Sequence, residues 1–258
     1  MPRIIRTEAI CLAVRRLRES SKLVTMFSHD SGSLVVSARG ARRPGSRFGA
    51  ALERFAVSKL TFYWHENRTV YTVSDAELVR SFPSLALLPA RYLAAGRITE
   101  FLLRTGRPHD PVHVSPHEGT SQLYRLTVAY LAALEQADSG FRLLVASYLF
   151  KAASFLGFRP ELERCLVCGR APAGCPAAFD PERGGLVCER CGPRASSVRL
   201  SAGEQNRLRE LLGRPVAGLA ASPAVSSPED RDYLAMALEY VSCHLDSLLL
   251  NSFNQDLL

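Results

Sequence analysis

Apolar and polar residues alternate with period two through the first 80 residues, and turn-forming residues recur at short intervals. This is the pattern of strands that bury one face. "AICLAVRRL", "KLVTMFS" and "SLVVSAR" predict three strands, and the turn from His29 to Gly32 joins the second and third as a hairpin. "FAVSKLTFYW" and "TVYTVSD", linked through "HENR", predict two more. Five strands are too few for a sandwich and suit a small barrel of the OB type, although an SH3-like barrel has a similar pattern.

From Pro83 the period becomes helical. "PARYLAAGRITEFLLRT", "SQLYRLTVAYLAALEQ", "FRLLVASYLFKAASFLGF" and "RDYLAMALEYVSCHLDSLLL" place apolar residues three and four apart. In the last, Leu234, Leu238, Val241, Leu245 and Leu248 predict one buried face, with Ser226 or Ser227 as its cap. A short helix is expected at "SAGEQNRLRELLG", and "RPVAGLAASPAVSSPED" reads as a loop. The expected class is α+β: a barrel domain over 1–80, then a helical domain over 81–258 interrupted by a Gly-, Pro- and Cys-rich insert at 162–195.

Composition, with 47% hydrophobic and 22% charged residues, places the chain among globular proteins rather than disordered ones. The N-terminal apolar run is cut short by arginines, unlike a signal peptide. The most apolar segment carries Arg142 and Lys151, which argues for a core helix rather than a membrane span. A cytoplasmic protein is expected, with no membrane partner.

Charge is unevenly spread. Residues 1–60 hold 12 Lys+Arg against 4 Asp+Glu, while 61–258 hold 20 against 21. The basic excess therefore lies in the barrel, which points to a polyanion such as nucleic acid. Solvated strand faces with no ligand are the plainer alternative, and an acidic membrane surface lacks the amphipathic basic helix it would need.

The densest basic stretch is "RGARRPGSRFGAALERF", with Arg39, Arg42, Arg43 and Arg47. Gly40 and Gly45 have the spacing of a P-loop, but Ser46 and Arg47 stand where Lys and Ser or Thr are required. What remains is a flexible basic loop suited to the phosphates of a nucleic-acid backbone. Arg15, Arg16, Arg18 and Lys22 flank the first strand connection and extend the candidate contact set. Trp64 stands at the turn between the fourth and fifth strands, where a ring either stacks a base or plugs one end of the barrel. Alternation puts Phe62 and Tyr63 on opposite faces.

Cys165 and Cys168 form one CxxC and Cys188 and Cys191 another, the spacing of a four-thiolate zinc site. Gly169 and Gly192 follow each pair, where a tight turn toward the metal favours positive φ. Disulfides are disfavoured in a reducing compartment, and a redox CxxC would stand singly in a βαβ setting. With all four positions cysteine, one structural Zn2+ and no open coordination site are expected. Cys175 reads as a spare thiol; Cys11 and Cys243 read as core residues. His109, His113 and His117 are regularly spaced, but Pro108, Pro111 and Pro116 break any helix that would align them, so a polar loop is expected. No nucleophile elbow, HExxH or evident two-metal carboxylate set is present, so binding rather than catalysis is expected.

The basic loop "ARGARRPGSRFGAALERF", with "LGFRPELERCLVCG" and "FDPERGGLVCERC" following in order, resembles the RecO family of bacterial recombination mediators over almost the whole chain. The resemblance implies an OB-fold domain, a helical domain with an inserted zinc finger, and no nucleotide hydrolysis. It also implies binding of ssDNA and dsDNA, annealing of complementary strands, and work with RecR to load RecA on ssDNA covered by the single-stranded-DNA-binding protein, whose C-terminal tail is a further partner. Two other readings fit the same residues: a zinc-containing protein-docking adaptor without direct DNA binding, and a metal-dependent nuclease.

Overall fold

The computed structural model describes residues 3–105, 118–172, 176–220 and 232–245. His109, His113, His117, Cys175, Ser226, Ser227 and Leu248 lie outside the described residues. The chain divides into two compact units, residues 1–135 and 136–258.

In the first unit, β1 (Arg3–Arg16), β2 (Lys22–Ser28), β3 (Gly32–Ala38), β4 (Val57–Trp64) and β5 (Val70–Arg80) close a barrel in the order β1-β2-β3-β5-β4. All neighbours are antiparallel except β3 and β5, which run parallel through Val35–Val70, Val36–Tyr71 and Ser37–Thr72. This is the OB-type barrel expected from the five-strand pattern. Closure requires β1 to serve two neighbours: Arg3 to Ile10 pair with β4, and Ala9 to Arg16 pair with β2. A register shift between Cys11 and Ala13 falls where the strand changes partners. Such bulges bend a strand and increase its local twist.

Alternation decides what the barrel encloses. Ala9, Cys11, Val24, Met26, Leu34, Val36, Leu60, Phe62 and Val73 pack into one core. Burial pushes the Cys11 thiol up to about 12, as expected of a core cysteine. Ile10 and Leu12 point the other way yet are also fully buried, because α1 (Pro89–Thr105) packs against β1. Helix α2 (Glu118–Gln136) adds a polar tie, with Tyr124 Oη donating to Glu8 Oε1 at 2.8 Å and Ser121 Oγ donating to the His29 carbonyl at 3.1 Å.

The second unit is built on α3 (Phe141–Phe155), in which an unbroken run from Leu144 to Phe150 is buried. Helices α4 (Ala202–Gly213), α5 (Val216–Ala220) and α6 (Tyr233–His244) pack around it. Phe150 meets Phe179 edge-on at 6.1 Å and Tyr240 at 5.7 Å. A capping box of Ser201 and Glu204 opens α4.

Five points differ from these expectations or add to them. The Gly-, Pro- and Cys-rich insert contains a sheet that was not among the expected elements: β6 (Ala177–Asp180), β7 (Gly185–Cys188) and β8 (Val198–Leu200), in the order β7-β6-β8. These strands are three or four residues long, too short for periodicity to reveal them. Helix α5 lies within the stretch read as loop. The cap of α6 is Asp232, whose carboxylate accepts from the Ala235 N–H at 3.0 Å. The buried face of α6 is Tyr233, Leu234, Met236, Ala237, Tyr240 and Val241, while Leu238 is only half-buried and Leu245 lies past the last helical residue. Cys243, expected in the core, is exposed because burial on α6 ends at Val241.

Candidate nucleic-acid interface and metal centre

Arg15 and Arg16 close β1, Arg18 lies in the connection, and Lys22 opens β2. The loop after β3 carries Arg39, Arg42, Arg43 and Arg47. These two segments meet. The Arg42 N–H donates to the Ser20 carbonyl at 3.1 Å, and Arg42 Nη1 donates to the Glu19 carbonyl at 2.7 Å. Seven arginines are thus gathered around the end of the barrel where β1 meets β2, all of them exposed.

The loop is pinned rather than free. Successive turns run from Gly40 to Arg43, Arg43 to Ser46 and Ser46 to Gly49. Gly40 and Gly45 take φ of +73° and +71°, conformations that glycine adopts without strain. Ala41 and Phe48 are buried in the barrel core and anchor the loop near its two ends. Arg47 lies 5.1 Å from the Phe48 ring, so an aromatic face orients its guanidinium.

Two residues of the sequence-based set differ from the rest. Lys22 is only 14% exposed at its side chain and pairs with Glu53 at 2.6 Å, so its charge is already answered. Trp64 is 8% exposed and belongs to the barrel core, as the plug reading has it. Its ring is not open to a base. Alternation instead leaves Tyr63 outside at 40% exposure, cross-strand from Ile4 on β1 and Thr72 on β5. Period-two parity already separates Tyr63 from Phe62, but which parity faces outward is set by closure of the barrel.

In the second unit the four cysteines converge. Their Sγ atoms all lie within 4.8 Å of one another, and Cys168 and Cys188 are 3.8 Å apart. A tetrahedron with zinc–sulfur bonds of about 2.3 Å has edges of about 3.8 Å. Each CxxC is followed by its left-handed glycine, Gly169 at φ +70° and Gly192 at φ +69°. The N–H groups of Val167 and Cys188 both point at Cys165 Sγ from 3.4 Å. Burial alone would raise the Cys165 thiol, but the Cys188 N–H first, and then donors from Cys168 and Val167, bring it down to about 6. Cys191 moves the other way, to about 12, because it hydrogen-bonds to the Cys188 and Cys168 sulfurs. Four sulfurs gathered this closely are the donor set of a soft, tetrahedrally bound cation.

The sheet supports this geometry. Cys188 ends β7, and the Leu166 N–H donates to the Leu186 carbonyl at 2.8 Å, which sets the first knuckle against the second. Gly185 approaches so closely that a Cβ there would lie 2.4 Å from the Glu161 carbonyl oxygen. No side chain fits. Among the described residues, no helix is long and apolar enough to cross a membrane.

The described residues thus combine a basic five-stranded OB-type barrel with a helical unit that carries a four-cysteine knuckle. The family model Recombination protein O N terminal matches residues 1–82, and Recombination protein O C terminal matches residues 89–252. The chain belongs to the RecO family. It is 32% identical over 222 residues to a DNA repair protein RecO of Rubrobacter xylanophilus, covering 84% of each chain. It is 29% identical over 248 residues to that of Caldanaerobacter subterraneus, covering 95% of this chain and 94% of the relative. A Desulfitobacterium hafniense relative is 30% identical over 216 residues, with 81% and 74% covered.

Proposed function

We propose that this chain is a recombination mediator in DNA repair that binds ssDNA and dsDNA through the arginine-lined end of its barrel. The observation that carries the reading is the seam between Arg42 and residues Glu19 and Ser20, which draws two basic segments into one surface. Guanidinium groups bind phosphate oxygens bidentately, and each neutralised phosphate releases condensed counterions. Such contacts ignore base sequence. They lower the repulsion between two strands, so complementary bases meet and pair, and pairing itself supplies the free energy. No ATP is required, and the chain works as a binding protein rather than an enzyme.

The relatives are named as DNA repair proteins, which supports the same role here. In this reading the protein acts with RecR to load RecA on ssDNA covered by the single-stranded-DNA-binding protein, whose C-terminal tail it engages. It is cytoplasmic and nucleoid-associated. The knuckle holds one Zn2+ in a structural role, contributing folding free energy to the second unit. The barrel domain over 1–80 carries DNA contact, and residues 81–258 carry partner contact.

The test mixes two complementary labelled strands with the protein and no nucleotide. Accelerated annealing without cleavage, weakening steeply with salt, is the expected result. Salt-independent behaviour or no DNA binding would favour the protein-docking adaptor. Cleavage on adding magnesium or manganese would favour a nuclease.

A further inference from the structure

The metal knuckle has its own charge pattern. Residues 159–199 contain seven arginines, five carboxylates and no lysine. Every carboxylate is engaged. Glu161 accepts from the N–H groups of Glu163 and Arg164 at 2.8 and 3.0 Å. Glu163 faces Arg209 at 3.5 Å. Buried Asp180 lies between Arg183 and Arg194, Glu182 pairs with Arg194 at 2.6 Å, and Glu189 faces Arg199 at 3.9 Å.

Arg164, Arg170 and Arg190 are exposed and have no carboxylate within 4.0 Å among the described residues. All three stand beside the cysteines along the chain. Arg164 precedes Cys165, the Arg170 carbonyl accepts from the Cys165 N–H at 2.8 Å, and Arg190 stands between Cys188 and Cys191. Leu166 and Val167, at the tip of the first knuckle, are 38% and 55% exposed.

We propose that this knuckle is a second polynucleotide-binding surface, with Arg164, Arg170 and Arg190 on phosphates and Leu166 and Val167 against sugars or bases. The inference rests on the reading of the protein as DNA-binding, but it assigns a surface on the other unit. Three exposed arginines without a carboxylate partner, on a knuckle that also exposes Leu166 and Val167, fit a ligand with repeating phosphates and apolar faces. An acidic peptide of similar charge usually needs a pocket for its apolar anchor, whereas a phosphodiester chain runs over an open surface. With the barrel holding one strand, the knuckle gives the same molecule a hold on a second.

The experiment uses the full chain, labelled oligothymidylate and a salt titration. It compares wild type with an Arg164→Ala, Arg170→Ala, Arg190→Ala variant, with an Arg42→Ala, Arg43→Ala, Arg47→Ala variant, and with the two sets combined. Zinc content is measured on each. The knuckle variant should keep its zinc and lose about 2 units of salt slope. The loop variant should retain residual salt-dependent binding, which the combined variant loses. A zinc-replete knuckle variant with wild-type slope overturns the proposal. So does a wild type that holds oligoglutamate through these arginines while the oligothymidylate slope stays unchanged. If the triple variant sheds zinc, the single Arg→Gln variants are read instead, and unchanged slopes in all three overturn it. Loss confined to the loop variant leaves the proposed function standing and removes only the knuckle; a wild type that ignores oligothymidylate in dilute salt removes both.

Discussion

Arg42 Nη1 donates to the Glu19 carbonyl at 2.7 Å, across 23 positions of sequence. That bond, with the neighbouring Arg42 N–H to the Ser20 carbonyl, makes one basic surface from two segments that the chain encodes separately.

Replacing Arg42, Arg43 and Arg47 together by Ala should weaken DNA binding for every sequence alike. The slope of log affinity against log salt should flatten by about 2–3 units. Fluorescence anisotropy across a salt series reads both quantities. A preserved slope would detach the loop from DNA binding.

Tyr63 and Trp64 are adjacent but face opposite sides of the barrel wall, so they should fail differently. Trp64→Ala should destabilise the barrel by about 3–5 kcal/mol through the cavity it leaves. Tyr63→Ala should leave stability nearly unchanged and, where its ring stacks on a base, reduce ssDNA affinity by about 1–3 kcal/mol. Denaturant melts paired with binding isotherms separate the two effects. Equal destabilisation by both would contradict the alternation.

Cys165→Ser with Cys168→Ser should abolish metal retention and destabilise the second unit, since a bound metal contributes to folding free energy. For a chain of this size each lost kcal/mol lowers the melting temperature by roughly 2–4 °C. Metal analysis and calorimetry test this together. Full zinc content with an unshifted melt would dismiss the structural role.

Tyr124 donates to Glu8, and its phenol is raised, by burial first and then by that hydrogen bond and the charges of Glu8 and Asp30. The folded state therefore holds the Tyr124 proton more tightly than the unfolded chain does. Its contribution is complete below the free tyrosine range of about 10 and declines as pH rises beyond it. Tyr124→Phe should cost about 1.5–3 kcal/mol at neutral pH, the range for a hydrogen bond to a charged group. It should also show a shallower alkaline loss of stability. Parallel urea melts from neutral to alkaline pH provide the comparison, and identical alkaline slopes would exclude the effect.

Much of this architecture can be read without coordinates because it rests on local physics. Period-two stretches from Ala9 to Asp75 mark the five strands, and α1 spans the predicted Pro89 to Thr105. Two CxxC pairs with trailing glycines declare a metal site, since thiolate spacing and positive φ are local requirements. The β6–β8 sheet escapes such reading because strands of three or four residues carry too little pattern. The cap at Asp232 was hidden among several capping residues upstream of α6.

By itself, the order of residues determined the five barrel strands, the long helices, the four-cysteine set and the excess of arginine near the N-terminus, all legible from spacing or composition within short stretches. Only tertiary structure decided which of those charges stand free. Closure of the barrel turns Trp64 inward and Tyr63 outward, Glu53 answers Lys22, and five carboxylates around the knuckle leave Arg164, Arg170 and Arg190 unanswered. Burial and pairing depend on neighbours distant in sequence, and no local pattern records them.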